Sequence, residues 1–191
     1  MKKKVRIRIK RYSFVVIMVA LYSALCLMSC DNERLPQASY VRVNDSLPFS
    51  FEMSDRASFN YYYRDSNTVF CNIVYPAAIE YAHFYCTYHK IDSARFRSLS
   101  EDTYKLAYSH AIVADSITEF SFARNDGTGV VMFRLSGNVA TPVQFAVTDS
   151  TNYFFNASLY FDNGAKCDTL TEVISYLQKD IDRLIETFEL K

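Results

Sequence analysis

The chain has 191 residues, 21 Lys and Arg against 21 Asp and Glu, half of its residues apolar and 16% aromatic, all of the aromatics Tyr or Phe. That is enough apolar material for one substantial core. No internal repeat, low-complexity tract or interdomain linker is visible, which excludes modular and solenoid architectures.

The first 29 residues carry seven basic residues (Lys2, Lys3, Lys4, Arg6, Arg8, Lys10 and Arg11) and no acidic one, ahead of an apolar run from Phe14 to Met28. As a helix this run reaches about 22 Å, short of the roughly 30 Å hydrocarbon core. No basic stop-transfer cluster follows, so the segment reads as a signal peptide over 1–29. It ends in Leu27-Met28-Ser29-Cys30, which resembles a bacterial lipobox. The resemblance implies that Cys30 takes diacylglyceryl and becomes the first residue of the mature chain, with acyl chains of the palmitate kind holding it stably to a membrane. Residues 30–47 are then the lipidated cysteine and a tether, and 48–191 a single domain exposed in the periplasm. Losing the leader leaves 14 basic against 21 acidic residues, a net charge near −7. Phosphate neutralisation needs the opposite sign, so a nucleic-acid partner is excluded.

From Pro48 the alternation of Phe49, Phe51 and Met53 predicts a first strand. Tyr61-Tyr62-Tyr63 reads as a wet aromatic edge running into the turn Arg64-Asp65-Ser66-Asn67. Thr68 to Tyr75 predicts a second strand, stopped by Pro76, and Ile79 to Tyr88 a third. Ser98-Leu99-Ser100-Glu101 fits a capping box, with Leu106, Ala107, His110, Val113, Ala114 and Ile117 at helical spacing behind it. Val130 to Phe161 reads as a three-strand meander broken at Ser136-Gly137-Asn138 and at Thr148 to Asn152. One face is assigned to Val131, Phe133 and Leu135, then Val143, Phe145 and Val147, then Phe155, Ala157, Leu159 and Phe161.

A second capping box, Thr169-Leu170-Thr171-Glu172, opens a helix with one stripe of Leu170, Val173, Ile174, Leu177, Ile181, Leu184, Ile185 and Phe188. Lys179, Asp180, Asp182, Arg183 and Glu186 are placed away from it. The expected class is α+β: a largely antiparallel sheet of about six strands flanked by helices, in the order βββ-α-βββ-α. That order resembles the sandwich of the PsbP and Mog1 group, which implies a fold and no function.

No catalytic constellation emerges, and the chain is read as a non-enzyme without cofactor. The four glycines lack phosphate-loop spacing, and Thr148-Asp149-Ser150 is better explained as turn chemistry than as part of a triad with His110. His83, Cys86 and His89 lie on one predicted strand, where the two histidines share a face about 20 Å apart and Cys86 points away, so no metal site is assigned. Cys71, Cys86 and Cys167 remain after lipidation. Cys71 and Cys86 face each other if the hairpin is centred between Ala78 and Ile79, and sit on opposite faces if it is centred on Ala77.

Two functional classes stay open. An interaction protein would bind through a sheet edge or the cluster Tyr61, Tyr62 and Tyr63. A ligand-binding domain or enzyme would use His110, Arg134 and Gln144, with an anionic ligand between the last two if they share a face.

Gly137-Asn138-Val139-Ala140-Thr141-Pro142-Val143-Gln144-Phe145-Ala146-Val147-Thr148-Asp149-Ser150, Asn156-Ala157-Ser158-Leu159-Tyr160-Phe161, and the helix through Asp180-Ile181 to Leu184-Ile185-Glu186-Thr187 are similar to the gliding motility lipoprotein GldD family. Pro48-Phe49-Ser50-Phe51-Glu52, Asn72-Ile73-Val74-Tyr75-Pro76 and Leu106-Ala107-Tyr108-Ser109-His110 also fit. Asn156 stands where the family has a more usual Arg-Gly-like pair, and Ser158 interrupts the ending. The resemblance implies a lipid-anchored accessory of gliding motility and of the type IX secretion apparatus, acting beside a membrane protein of the CBS-domain transporter-associated kind. It carries over one functional position, Cys30.

Overall fold

The computed structural model describes residues 39–43, 46–162 and 170–191. Cys30, the leader, most of the tether, Cys167 and Thr169 of the second capping box lie outside them. The elements are β1 (Tyr40–Val43), β2 (Phe49–Ser54), β3 (Ser58–Asp65), β4 (Thr68–Val74), β5 (Ala82–Lys90), α1 (Ser93–Tyr108), β6 (Ala114–Ala123), β7 (Gly129–Gly137), β8 (Val143–Thr148), β9 (Tyr153–Phe161), α2 (Thr171–Thr187) and β10 (Glu189–Leu190). They form two antiparallel sheets, a small one ordered β1-β2-β10 and a seven-stranded one ordered β3-β4-β5-β9-β8-β7-β6. The α+β class holds, with ten strands among the described residues in place of about six. Strand β1 falls inside the stretch expected as tether, and β3, β6 and β10 are the other additions.

The core lies between the small sheet with α2 and one face of the large sheet, its inner face. Phe188, just past α2, has ring centroids 4.9 Å from Phe155, 5.3 Å from Tyr153 and 5.6 Å from Phe49. Phe145, Phe155 and Leu159 from the meander are fully buried there, with Leu177, Ile181, Leu184 and Ile185 of α2 against them. Arg124 donates from Nη1 to the carbonyls of Ile185 and Phe188 at 3.0 and 2.7 Å, closing the C-terminal end of α2.

The meander is as expected, but its face assignment holds only for β8 and β9. Val131 pairs with Ala146 and Phe133 with Gln144, while Phe145 pairs with Ala157 and Val147 with Phe155. Directly opposed residues share a face, so Val131, Phe133 and Leu135 point outward and Val130 and Met132 inward. The physical reason is that the hairpin after β7 closes about Asn138 and Val139, which sets odd-numbered residues of β7 against even-numbered ones of β8. Gly137 ends β7 at φ 96°, where an added Cβ would lie 2.7 Å from the Asp115 amide nitrogen.

The first helix starts earlier than its Ser98 box. Asp92 is its cap, accepting the Arg95 N–H at 2.8 Å, and Ser98 to Glu101 are helical interior. It ends at Tyr108, so Ala114 and Ile117 belong to β6, where Ile117, Glu119 and Ser121 alternate with Thr118, Phe120 and Phe122. The predicted strand over Ile79 to Tyr88 begins instead at Ala82, after a 3₁₀ turn over Ala77–Ile79 and left-handed residues Glu80 and Tyr81. Asp180, expected on the polar side of α2, is buried at 3% exposure.

Candidate functional site

Helix α1 crosses the outer face of the large sheet and covers only part of it. Phe96 and Leu99 pack on Ala146 and Phe154, and Tyr104 and Tyr108 stand edge-on to Phe133 at 5.2 and 6.1 Å. Among the described residues, the outer face of β3, β4, β5 and the adjoining part of β9 carries no such cover. Its residues fall in lateral rows set by the register. One row runs Tyr62, Phe70, Thr87 and Asn156, and the next Asn60, Asn72, Tyr85, Ser158 and Gln144.

Aromatic rings in these rows and in the next, which runs Val74, His83 and Tyr160, touch one another. Tyr62 stacks on Phe70 at 5.3 Å, His83 on Tyr85 at 5.9 Å, and Tyr85 meets Tyr160 edge-on at 5.5 Å. Tyr62 is 62% and Tyr85 47% exposed. At the border, Arg64 lies over the Phe70 ring at 5.8 Å and His83 Nε2 is 2.7 Å from the Asp162 carboxylate. Among the described residues, neither end of the amide of Gln144, 2% exposed at the α1 side, has a hydrogen-bond partner. Asn156 Oδ1 is likewise without one.

The other open element is β6, an end strand of the sheet. Phe120 and Phe122 are 40% and 50% exposed along it, and Ile112, in the turn before it, is 96% exposed. A row of unpaired main-chain groups beside exposed apolar side chains is a template for a further strand.

The expected site residues divide among these places. The tyrosine triplet is split by strand alternation: Tyr62 joins the outer face, while Tyr61 and Tyr63 point to the other side, Tyr63 donating from its hydroxyl to the Ser46 carbonyl at 2.8 Å. Arg134 and Gln144 do not converge, because Arg134 pairs with Val143 and Gln144 with Phe133, one residue out of phase. The anionic-ligand pairing between them is therefore ruled out by geometry. Arg134 lies over the Phe120 ring at 5.0 Å and lines a cleft of about 550 Å³ with Asp115, Gln178 and Lys179. His110 lies in the turn after α1, where its carbonyl accepts the N–H groups of Val113 and Ala114. A larger groove, about 1220 Å³, runs along α1 between Phe96, Tyr104 and Phe122, with Arg97, Glu101 and Lys105 among its lining.

Cys71 and Cys86 are direct cross-strand partners, the first of the two registers considered, and both are buried free thiols. Burial pushes the Cys86 thiol well above its ordinary pKa, with Cys71 adding to the rise, so it is a poor nucleophile. His83 and His89 face outward and Cys86 inward, as the strand reading requires. His89 is pushed down to about 4 by burial and by Arg95 and remains neutral at pH 7. Asp149 does turn work: its Oδ1 accepts the N–H groups of Thr151, Asn152 and Tyr153.

Phe70, Asn72, Tyr85 and Tyr160 are the members of the open face that were not singled out. Their signal was the alternation itself: in Thr68 to Val74 the inner set is Val69, Cys71 and Ile73, while the outer set is Thr68, Phe70, Asn72 and Val74, with an aromatic between polar groups.

The solution structure of cyanobacterial PsbP (CyanoP) from Synechocystis sp. PCC 6803 is similar in fold, with a TM-score of 0.51 and 12% identity over 85% of this chain and 98% of that one. No curated protein matches the chain. The family described as gliding motility lipoprotein GldD matches residues 30–190, from the proposed lipidated cysteine to the last strand. The chain belongs to the gliding motility lipoprotein GldD family.

Proposed function

We propose that this lipoprotein is a non-enzymatic accessory of the gliding motility and type IX secretion machinery, anchored through Cys30 with its folded part in the periplasm. The observation that carries this reading is the family match, which begins at Cys30 and runs through the whole fold. Two features of the geometry support binding over chemistry. The polar residues that a ligand-binding domain or enzyme would use, His110, Arg134 and Gln144, sit in three separate places. The exposed β6 edge, with Phe120 and Phe122 beside main-chain groups unpaired among the described residues, suits docking of a protein segment by strand addition. A membrane protein of the CBS-domain transporter-associated kind is the partner this reading favours.

The test compares secreted and surface proteins from cells with the wild-type chain, cells lacking it, and cells carrying Cys30→Ala. Trapped type IX cargo in both altered strains is the expected result. Normal export without the protein sinks the assignment, and normal export with Cys30→Ala alone removes the need for the anchor.

A further inference from the structure

We propose that the open outer face of β3, β4, β5 and β9 binds a neutral polysaccharide chain. The main-chain groups of β4, β5 and β9 are already paired within the sheet, so a ligand on this face is read by side chains alone. Across the four strands, at about 4.8 Å per gap, the platform is roughly 14 Å wide, enough for a chain to lie across and not only for a single residue to insert.

The chemistry of the rows selects the occupant. A sugar ring presents an apolar C–H face bordered by hydroxyls. Tyr62, Tyr85 and Tyr160 supply rings for the first, and Asn60, Asn72, Thr87 and Ser158 supply amides and hydroxyls for the second. Carboxamides are suited to this because each offers two donors and an acceptor to neighbouring hydroxyls. A protein partner would instead want apolar filling between the rings, and Val74 is the one aliphatic side chain in the two β4 and β5 outer sets.

Charge points the same way. The charged groups of this face stand at its border: the Asp162 carboxylate lies 2.7 Å from His83 Nε2, and Arg64 covers Phe70. The mature chain is net acidic, with 14 basic against 21 acidic residues, so an acidic polymer is repelled at long range and a basic one finds no carboxylate among the rows.

The test uses the full lipidated chain in a sugar-free detergent. It is run through gels containing a neutral glucan, mannan or xylan, pelleted with cellulose and chitin, and compared against alginate and heparin. At least one neutral polymer should retain it, with little change on raising salt. Tyr85→Ala and Asn72→Ala should each weaken retention by roughly ten-fold, and Leu190→Ala, exposed on β10, should leave it unchanged. If Tyr85→Ala fails to fold, Tyr62→Ala, at an even more exposed ring, reads the same contact.

Retention by none of the neutral polymers, retention by acidic polymers alone, or retention undiminished in these variants overturns the proposal. So does capture of an envelope protein that Tyr85→Ala abolishes while no polysaccharide is retained. Because the measurement is made on purified protein, it stands or falls separately from the export assay.

Discussion

Asp180 sits inside the apolar stripe of α2, with the Tyr75 hydroxyl donating to its Oδ2 at 2.8 Å. Burial raises its pKa above the ordinary 3.8, only partly offset by hydrogen bonds from Tyr75 and Tyr40. The carboxylate in turn helps burial push Tyr40 up to about 12. The sign of the linkage follows from the raised value. Below pH 3.8 the group is protonated in both states and carries no penalty. As pH rises through the folded value, the native state must ionise a buried group that the unfolded state ionised earlier, and stability is lost.

Asp180→Asn removes that loss and keeps an acceptor for Tyr75. Its Tm relative to wild type should therefore rise between pH 4 and pH 7. A difference that stays flat across this range would show that Asp180 is solvated in the native state. Nothing in the spacing of α2 revealed this residue, because a heptad-like stripe is read from apolar positions and an Asp is assigned outward by default. What buries it is tertiary: Tyr75 arrives from the end of β4. The face of Gln144 escaped the sequence for the same reason, being set by which residue of β7 it opposes.

At the scale of elements, the strongly patterned pieces were legible and the boundaries were not. The strands from Val130 to Phe161 and the α2 stripe stood out because one periodicity dominates each. β7 is apolar on both sides, Val130 and Met132 against Val131 and Phe133, so its pattern says strand without saying which face is which. In α1 two start signals compete, Asp92 and Ser98, and the apolar residues that seemed to extend the helix past Tyr108 belong partly to the alternation of β6.

The observed cap makes a clear prediction. Asp92→Ala should cost about 1 kcal/mol, because it leaves the Arg95 N–H without its acceptor. Ser98→Ala, inside the helix and exposed, should fall within about 0.5 kcal/mol of wild type or slightly above it, since Ala is the better helix former. Urea midpoints of the two variants decide the matter. A larger loss for Ser98→Ala would return the helix start to the capping box.

For the whole molecule, the question is what makes two sheets one folding unit. The small sheet touches the large one through Phe49 and Phe51 of β2, whose rings lie 5.7 and 6.1 Å from Phe155. The chain end then completes the join: Phe188 stacks among Phe49, Phe51, Tyr153 and Phe155, and β10 pairs with β2 through Glu189 opposite Ser50. Arg124 binds the carbonyls at the same point from the far end of β6.

A ring that is 1% exposed and contacts both sheets must be lost from both at once. Phe188→Ala should therefore cost about 3–5 kcal/mol, while Leu190→Ala, 41% exposed, should be nearly neutral. Unfolding of the wild type followed by circular dichroism and by tyrosine fluorescence should give coincident transitions, because neither sheet keeps a closed core without the other. Transitions that separate, or a small effect of Phe188→Ala, would mean that the seven-stranded sheet stands by itself and the chain end is only a strap laid over it.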